Sequence, residues 1–109
     1  MRTLAGLAML TALGVATAAS AAPAQRLSDV AYVEAARCAG LASSGKLGSG
    51  DGAQLMALLK AQAYDREQTV LDQASDAQQQ AKRQASKADD YMKSKLQTEL
   101  STSCAPFKG

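Results

Sequence analysis

Histidine and tryptophan are missing from this chain of 109 residues, phenylalanine occurs once, and cysteine and proline occur only twice each. Each absence removes a chemistry. Without histidine there is no ordinary general base near neutral pH, no imidazole ligand for zinc, and no Ser-His or Cys-His nucleophile pair. Cys38 and Cys104 are far apart in sequence, so neither a C-x-x-C redox motif nor a C-x-x-C-H haem attachment is present. Among the carboxylates, Asp89 and Asp90 are adjacent, and neighbouring helical residues point about 100° apart, which gives no shared acid/base site. Asp72 and Asp76 could face each other on a helix, but no third ligand or calcium loop accompanies them. Capping and solvation explain them more simply. Ser86, Ser94 and Ser101 have no activating base. The chain therefore reads as a non-enzyme, with no metal and no cofactor.

Glycine is concentrated between Ser43 and Gly52, where Gly45, Gly48, Gly50 and Gly52 alternate with polar residues. A phosphate-binding Walker loop needs Gly-Lys-Ser/Thr at the helix start, and here Lys46 is followed by Leu47. The stretch reads as a plain loop, with Leu47 placed to plug one end of a core.

The N-terminus carries one positive charge at Arg2, then an uncharged run of small and apolar residues from Leu4 to Ala19. Ala19-Ser20-Ala21 has the small-x-small pattern of a signal-peptidase site, with cleavage after Ala21 preferred to Ala22. The run is too short and too poor in large side chains to be favoured as a retained membrane anchor. Residues 1–21 are thus expected to be a signal peptide, 22–27 a flexible lead and 28–109 one small domain. This places the mature protein in the periplasm or the secreted fraction, with no stable membrane anchor after cleavage. Loss of Arg2 lowers the formal charge from +2 to +1, a near-neutral balance that argues against nucleic acid or an anionic membrane as partner. Roughly 88 residues remain, a size that is marginal for one hydrophobic core and often needs a staple.

The rest is helical in character. Ser28 is a natural N-cap, and Asp29 suits the positive end of a dipole, so a first helix is expected over about 28–43. Leu27, Val30, Ala31, Ala35, Cys38 and Leu41 share one broad face, with Glu34 and Arg37 at its edge as a possible snorkelling pair. Tyr32, Val33 and Ala36 lie on the other side. From Ala53 to Ser103 there is neither glycine nor proline. Asp51 with Gln54 resembles a capping box at its start, and Leu55, Met56, Leu58, Leu59 and Ala63 form the densest apolar face. Tyr91, Met92, Leu96 and Leu100 form a second one. Pro106 ends the run and can fold Phe107 onto the apolar end.

An unbroken helix over Ala53–Ser103 would measure about 75 Å, whereas Cys38 to Ala53 spans at most about 50 Å when extended. A disulfide requires its Cα atoms within about 7 Å. Either the run breaks, or the disulfide is intermolecular, or both thiols are free; pairing within the chain, the expectation for an exported protein, requires the break. Ser75 with Gln78 makes a second capping-box pattern, which puts the preferred break at Asp72–Asp76; Asp65 with Gln68 is the weaker site, and no break at all is the alternative. The expected fold is all-α: a small helical hairpin or three-helix bundle, with helices at about 28–43, 53–73 and 76–103, stapled by Cys38–Cys104. Closure of about 66 residues would contribute roughly 4 kcal/mol in the chain-entropy model.

Between Asp72 and Asp90 no large apolar residue occurs, but Ala74, Ala77, Ala81, Ala85 and Ala88 recur at three- or four-residue spacing. This seam has two readings: an internal stripe against a neighbouring helix, or an external one that meets a protein partner. The expected role is accordingly an interaction or structural protein of the bacterial envelope. The alternative is a stress- or acid-responsive periplasmic binding protein or chaperone. Small periplasmic acid chaperones have a similar architecture, combining a short mature chain, an all-helical fold and one long-range disulfide, although no motif matches residue by residue. Without histidine, an acid trigger would have to act through carboxylates such as Asp89, Asp90 or Glu99, below about pH 5.

Overall fold

The computed structural model describes residues 25–108. The expected signal peptide, its expected cleavage at Ala21 or Ala22 and the first part of the expected lead lie outside the described residues. The described chain is all-α, with helices α1 (Asp29–Ser43), α2 (Gly52–Gln62), α3 (Gln68–Ser86) and α4 (Asp90–Ser101), and a closing 3-10 turn at Ala105–Phe107.

Local chemistry sets most of these boundaries. Ser28 caps α1, its hydroxyl accepting from the Ala31 N–H at 3.1 Å, with Asp29 in the first turn. Asp51 precedes α2 without a side-chain capping bond. Its carboxylate instead pairs with Lys108 at 3.3 Å, and the Gln54 amide donates to the Lys108 carbonyl. The pattern expected to cap α2 thus holds the C-terminal end of the described chain.

The long helical run breaks twice, and neither break is at Asp72–Asp76. Ser75 and Asp76 are exposed residues in the middle of an uninterrupted α3. Ala74 and Ala81, on either side of them, are both buried, so a break here would split a continuous packing face. The first break lies at the weaker site, where Asp65 takes a left-handed conformation (φ 62°). A short polar residue tolerates that region better than most. The second break was not expected. Asp89 caps α4, its carboxylate accepting from the Met92 N–H at 2.8 Å, and Asp90 occupies the first turn. The adjacent aspartates are a helix start signal, and they turn the expected three helices into four.

The helices run up, down, up and down. The start of α1 lies beside the end of α2, since the Leu27 N–H donates to Gln62 Oε1 at 2.9 Å. Further along, α3 runs beside α1 in the same direction, and Lys46, just past the end of α1, donates to the Ser86 carbonyl at 2.9 Å. A cation on the last carbonyls of α3 also complements the negative end of its dipole. The final helix, α4, then returns along a different side of α1, which brings Cys104 to Cys38 with 5.7 Å between Cα atoms. The expected Cys38–Cys104 pairing is present and both residues are buried.

With neighbours on three sides, α1 buries more than one stripe. Tyr32, Ala35, Ala36, Cys38, Ala39, Gly40, Leu41 and Ala42 are all buried. Val30, grouped with the core face by its periodicity, is 71% exposed, and in the same turn Tyr32 is the residue that turns inward, under Arg66. Met56, Tyr64, Tyr91 and Met92 are exposed too, whereas Leu55, Leu59, Leu96 and Leu100 carry the apolar contacts of their helices. Leu47 is buried as expected. Residues 25–27 are tied down and do not form a free lead: Gln62 Nε2 donates to the Gln25 carbonyl, and Arg26 donates to the Tyr64 carbonyl at 2.7 Å.

The α1–α3 crossing is the tightest contact. A Cβ placed on Gly40 would lie 2.9 Å from the Ala81 Cβ and closer still to the Gln78 carbonyl oxygen. Backbone meets backbone there, so neither side can yield by turning a side chain. Gly40→Ala is expected to lower the melting temperature by roughly 5 °C or more, because overpacking of about 1–3 kcal/mol outweighs the gain in helix propensity. Gly45→Ala, with nothing within 4 Å of the new methyl, should leave it nearly unchanged. Thermal denaturation followed by circular dichroism compares the two.

Candidate functional site

Each polar or open feature of the surface was built by the same packing. The most enclosed charged side chain among the described ion pairs is that of Arg66, in the α2–α3 turn, at 1% exposed. Its Nε donates to the Gln62 carbonyl at 2.7 Å, and one Nη donates to the Leu27 carbonyl at 2.8 Å. The other Nη donates to Asp29 Oδ1 at 2.7 Å, and the guanidinium lies 4.3 Å above the centre of the Tyr32 ring. Gln62, also buried, completes this cradle by bonding the backbone of Gln25 and Leu27. Such a buried cation is tolerable only when its donors are used, and here they are. The cradle joins the chain before α1 to the α2–α3 turn; it leaves no donor pattern aimed at a ligand. Periodicity gave no hint of it, because Gln62 and Arg66 matter through distant backbone groups.

The alanine seam is placed inside the fold. Ala74, Ala81 and Ala85 are buried, and Ala77 and Ala88 are partly buried. The Gly40 crossing shows that α1 covers this stripe. The packing thus uses Ala74, Ala81 and Ala85 internally, whereas Ala77 and Ala88 stay partly exposed. The small side chains serve close helix approach.

What the seam leaves open lies beside it. A groove of about 500 Å³ runs between α1, α2 and α3, floored by Tyr32, Ala36, Leu59, Leu71 and Ala74. Met56, 41% exposed, stands at its edge with its sulfur 3.1 Å from the Gln78 amide nitrogen. Lys60 and Ser75 give the lining a few polar groups. From α3 it is lined by Leu71, Ala74, Ser75 and Gln78, and from α2 by Met56, Ala57, Leu59 and Lys60.

A second cleft, about 520 Å³, lies where α4 leaves α3. Arg37 dominates it. Arg37 does not pair with Glu34, which is exposed; it forks onto Glu99, with Nε to Oε2 at 2.6 Å and Nη2 to Oε1 at 3.0 Å. Its remaining Nη donates to Gln84 at 2.9 Å. Lys87, Asp89 and Lys95 also line the cleft, and Lys95 leans over the Tyr91 ring. Because Arg37 is occupied within the chain, this cleft presents mixed charge and no preformed fork for an anion.

The other residues considered for chemistry remain dispersed. Asp72 accepts from Gln68 on the same helix, Asp76 is exposed, and Ser86 and Ser101 donate to carbonyls one turn earlier. The glycine loop takes left-handed backbone at Gly48 and Gly50, with Lys46 committed to the end of α3. Among the described residues, no group of three or more Cys, Asp or Glu side chains is placed to hold a metal ion.

Comparison of the chain with protein-family models, curated proteins and solved structures gave no match. The functional reading therefore rests on this chain's own geometry.

Removal of Arg66 should reveal the unequal worth of its contacts. Arg66→Met strands two backbone carbonyls and is expected to destabilise by about 3 kcal/mol, with Arg66→Lys recovering only part of that. Asp29→Ala, whose carboxylate is 63% exposed, should cost about 1 kcal/mol or less. Urea denaturation of the three variants measures the order.

Proposed function

We propose that this chain is an exported, non-enzymatic binding protein of the bacterial envelope, and that the groove between α1, α2 and α3 receives apolar side chains of a partner protein. The groove itself carries this reading. It is concave and mainly apolar, with a few polar groups at its margin, the usual make-up of a recognition site. Met56 at its edge supplies a flexible, polarisable surface that adapts to different contacts. A volume of about 500 Å³ accommodates a few large side chains from a helix or loop, and small molecules with a high demand for polar contacts fit it poorly.

Export is supported by the Arg2 and Leu4–Ala21 pattern and by the Cys38–Cys104 disulfide, a bond favoured in oxidising compartments. Among the described residues no helix is long and apolar enough to cross a membrane. The acid-responsive alternative has a narrower footing: of the carboxylates it would use, Asp89 caps α4 and Glu99 ties α4 to α1, so both already have structural partners.

Two experiments separate these statements. Intact mass of the exported protein is expected to correspond to a chain beginning at Ala22; a species that keeps Arg2 would reject cleavage. A photo-crosslinking residue at Met56, in the native envelope, should trap a discrete partner that the same residue at Asp76 does not. Leu71→Glu should abolish that product while the circular dichroism spectrum stays helical. Equal trapping from both positions would reject the groove as the site.

A further inference from the structure

The four helices are not held to one another equally. Along most of their lengths α2 and α3 accompany α1, whereas α4 approaches it closely at few points. The ties that join α1, α2 and α3 all lie before α4: the Gly40 crossing, the Arg66 cradle, and Lys46 on the end of α3. The contribution of α4 and its tail to the core is Leu96, Leu100 and Cys104, with Phe107 packed against it in part, Tyr91 exposed and Met92 partly so. Its polar ties are the half-exposed Arg37–Glu99 fork, a bond from Gln97 to the Leu47 carbonyl, and the contacts of Lys108 with Asp51 and Gln54.

We infer that Cys38–Cys104 is a redox-controlled clasp on α4, which detaches as a flap upon reduction while α1, α2 and α3 stay folded. The disulfide is the one covalent tie between α1 and α4, which approach each other far more sparsely than α1 approaches α2 or α3. Two independent observations carry this: the sparse approach of α4 to α1, and the set of ties among α1, α2 and α3 that do not involve α4. Detachment uncovers the side of α1 that carries Cys38 and frees Arg37 from Glu99, exposing an apolar strip beside an unpaired cation. The proposal is independent of the groove reading.

The exchange needs a dithiol reductant. One of its thiolates attacks either protein sulfur, breaking the S–S bond and forming a mixed disulfide with release of the other cysteine as thiolate. Its second thiolate then displaces the remaining cysteine. The protein gains two electrons and two protons as a pair of thiols, and the reductant becomes a disulfide. Both sulfurs are buried, so attack follows an opening of α4 and reports its frequency.

Hydrogen exchange with mass spectrometry, on the full mature chain before and after dithiothreitol, tests the inference. Peptides within 92–104 are expected to lose protection by about 100-fold or more, and those within α1, α2 and α3 to change by less than about 3-fold. The Cys38→Ala/Cys104→Ala double variant should reproduce the reduced pattern without any reductant. Loss of protection across all four helices would overturn the proposal, because the disulfide would then be holding the entire fold. Unchanged exchange within 92–104 would overturn it as well, because α4 would then be held without the bond.

Discussion

The approach of α1 to α3 at Gly40 is the contact on which the rest of the structure depends. There the backbone of one helix meets the backbone of the other, with a hydrogen atom where any other residue would place a carbon. That closeness compensates for a poor supply of large side chains. Seven of the seventeen buried apolar residues are alanines (Ala35, Ala36, Ala39, Ala42, Ala74, Ala81 and Ala85), so little transfer energy comes from each. Many short contacts along a narrow crossing provide the dispersion energy that bulk would otherwise supply. The remaining elements fall into place around this pair: α2 folds back along α1, Leu47 closes one end, and α4 covers what is left.

Polar groups then fix the register that small side chains leave loose. An alanine surface can slide against another with little penalty. The guanidinium of Arg66 cannot, because it must meet the carbonyls of Gln62 and Leu27 simultaneously. Gln62 adds bonds to Gln25 and Leu27, and so ties residues before α1 into the folded unit. At the opposite end, Lys46 on the Ser86 carbonyl does the same for the turn between α3 and α4. Specific geometry in this protein is thus carried by buried or half-buried hydrogen bonds, while the apolar seam sets only distance.

The legible parts of this fold were those written in local chemistry or in covalent reach. Ser28 and Asp29 mark the start of α1, the glycine loop marks its end, and the distance between Cys38 and Cys104 requires the long run to fold back. The all-α class was legible in this way, whereas the pairing within the chain was an expectation from export that the reach argument took as its premise. The positions of the turns did not follow, because capping-box patterns occur at Asp65 and Ser75 alike, and only the burial of Ala74 and Ala81 decides between them. The Asp89-Asp90 pair did carry a local signal, as an N-cap followed by a first-turn acid. Gly40 left a fainter one: it follows Ala36 by four residues, the small-residue spacing that lets helices cross closely. Arg66 and Gln62 left none, since their partners are backbone groups distant in sequence. The groove could not be read at all, because it is the volume that two imperfectly matched faces leave unfilled.

The alanine-rich interior also has a thermodynamic consequence. The heat capacity change of unfolding grows with the apolar area that unfolding exposes, and alanine exposes little. A core with Leu41, Leu47, Leu55, Leu59, Leu96 and Leu100 as its largest aliphatic members therefore has a shallow stability curve. Such a protein gains less than most at its temperature of greatest stability, but it also gives up less on either side. Its folded population changes slowly across a wide range of cold and warm surroundings.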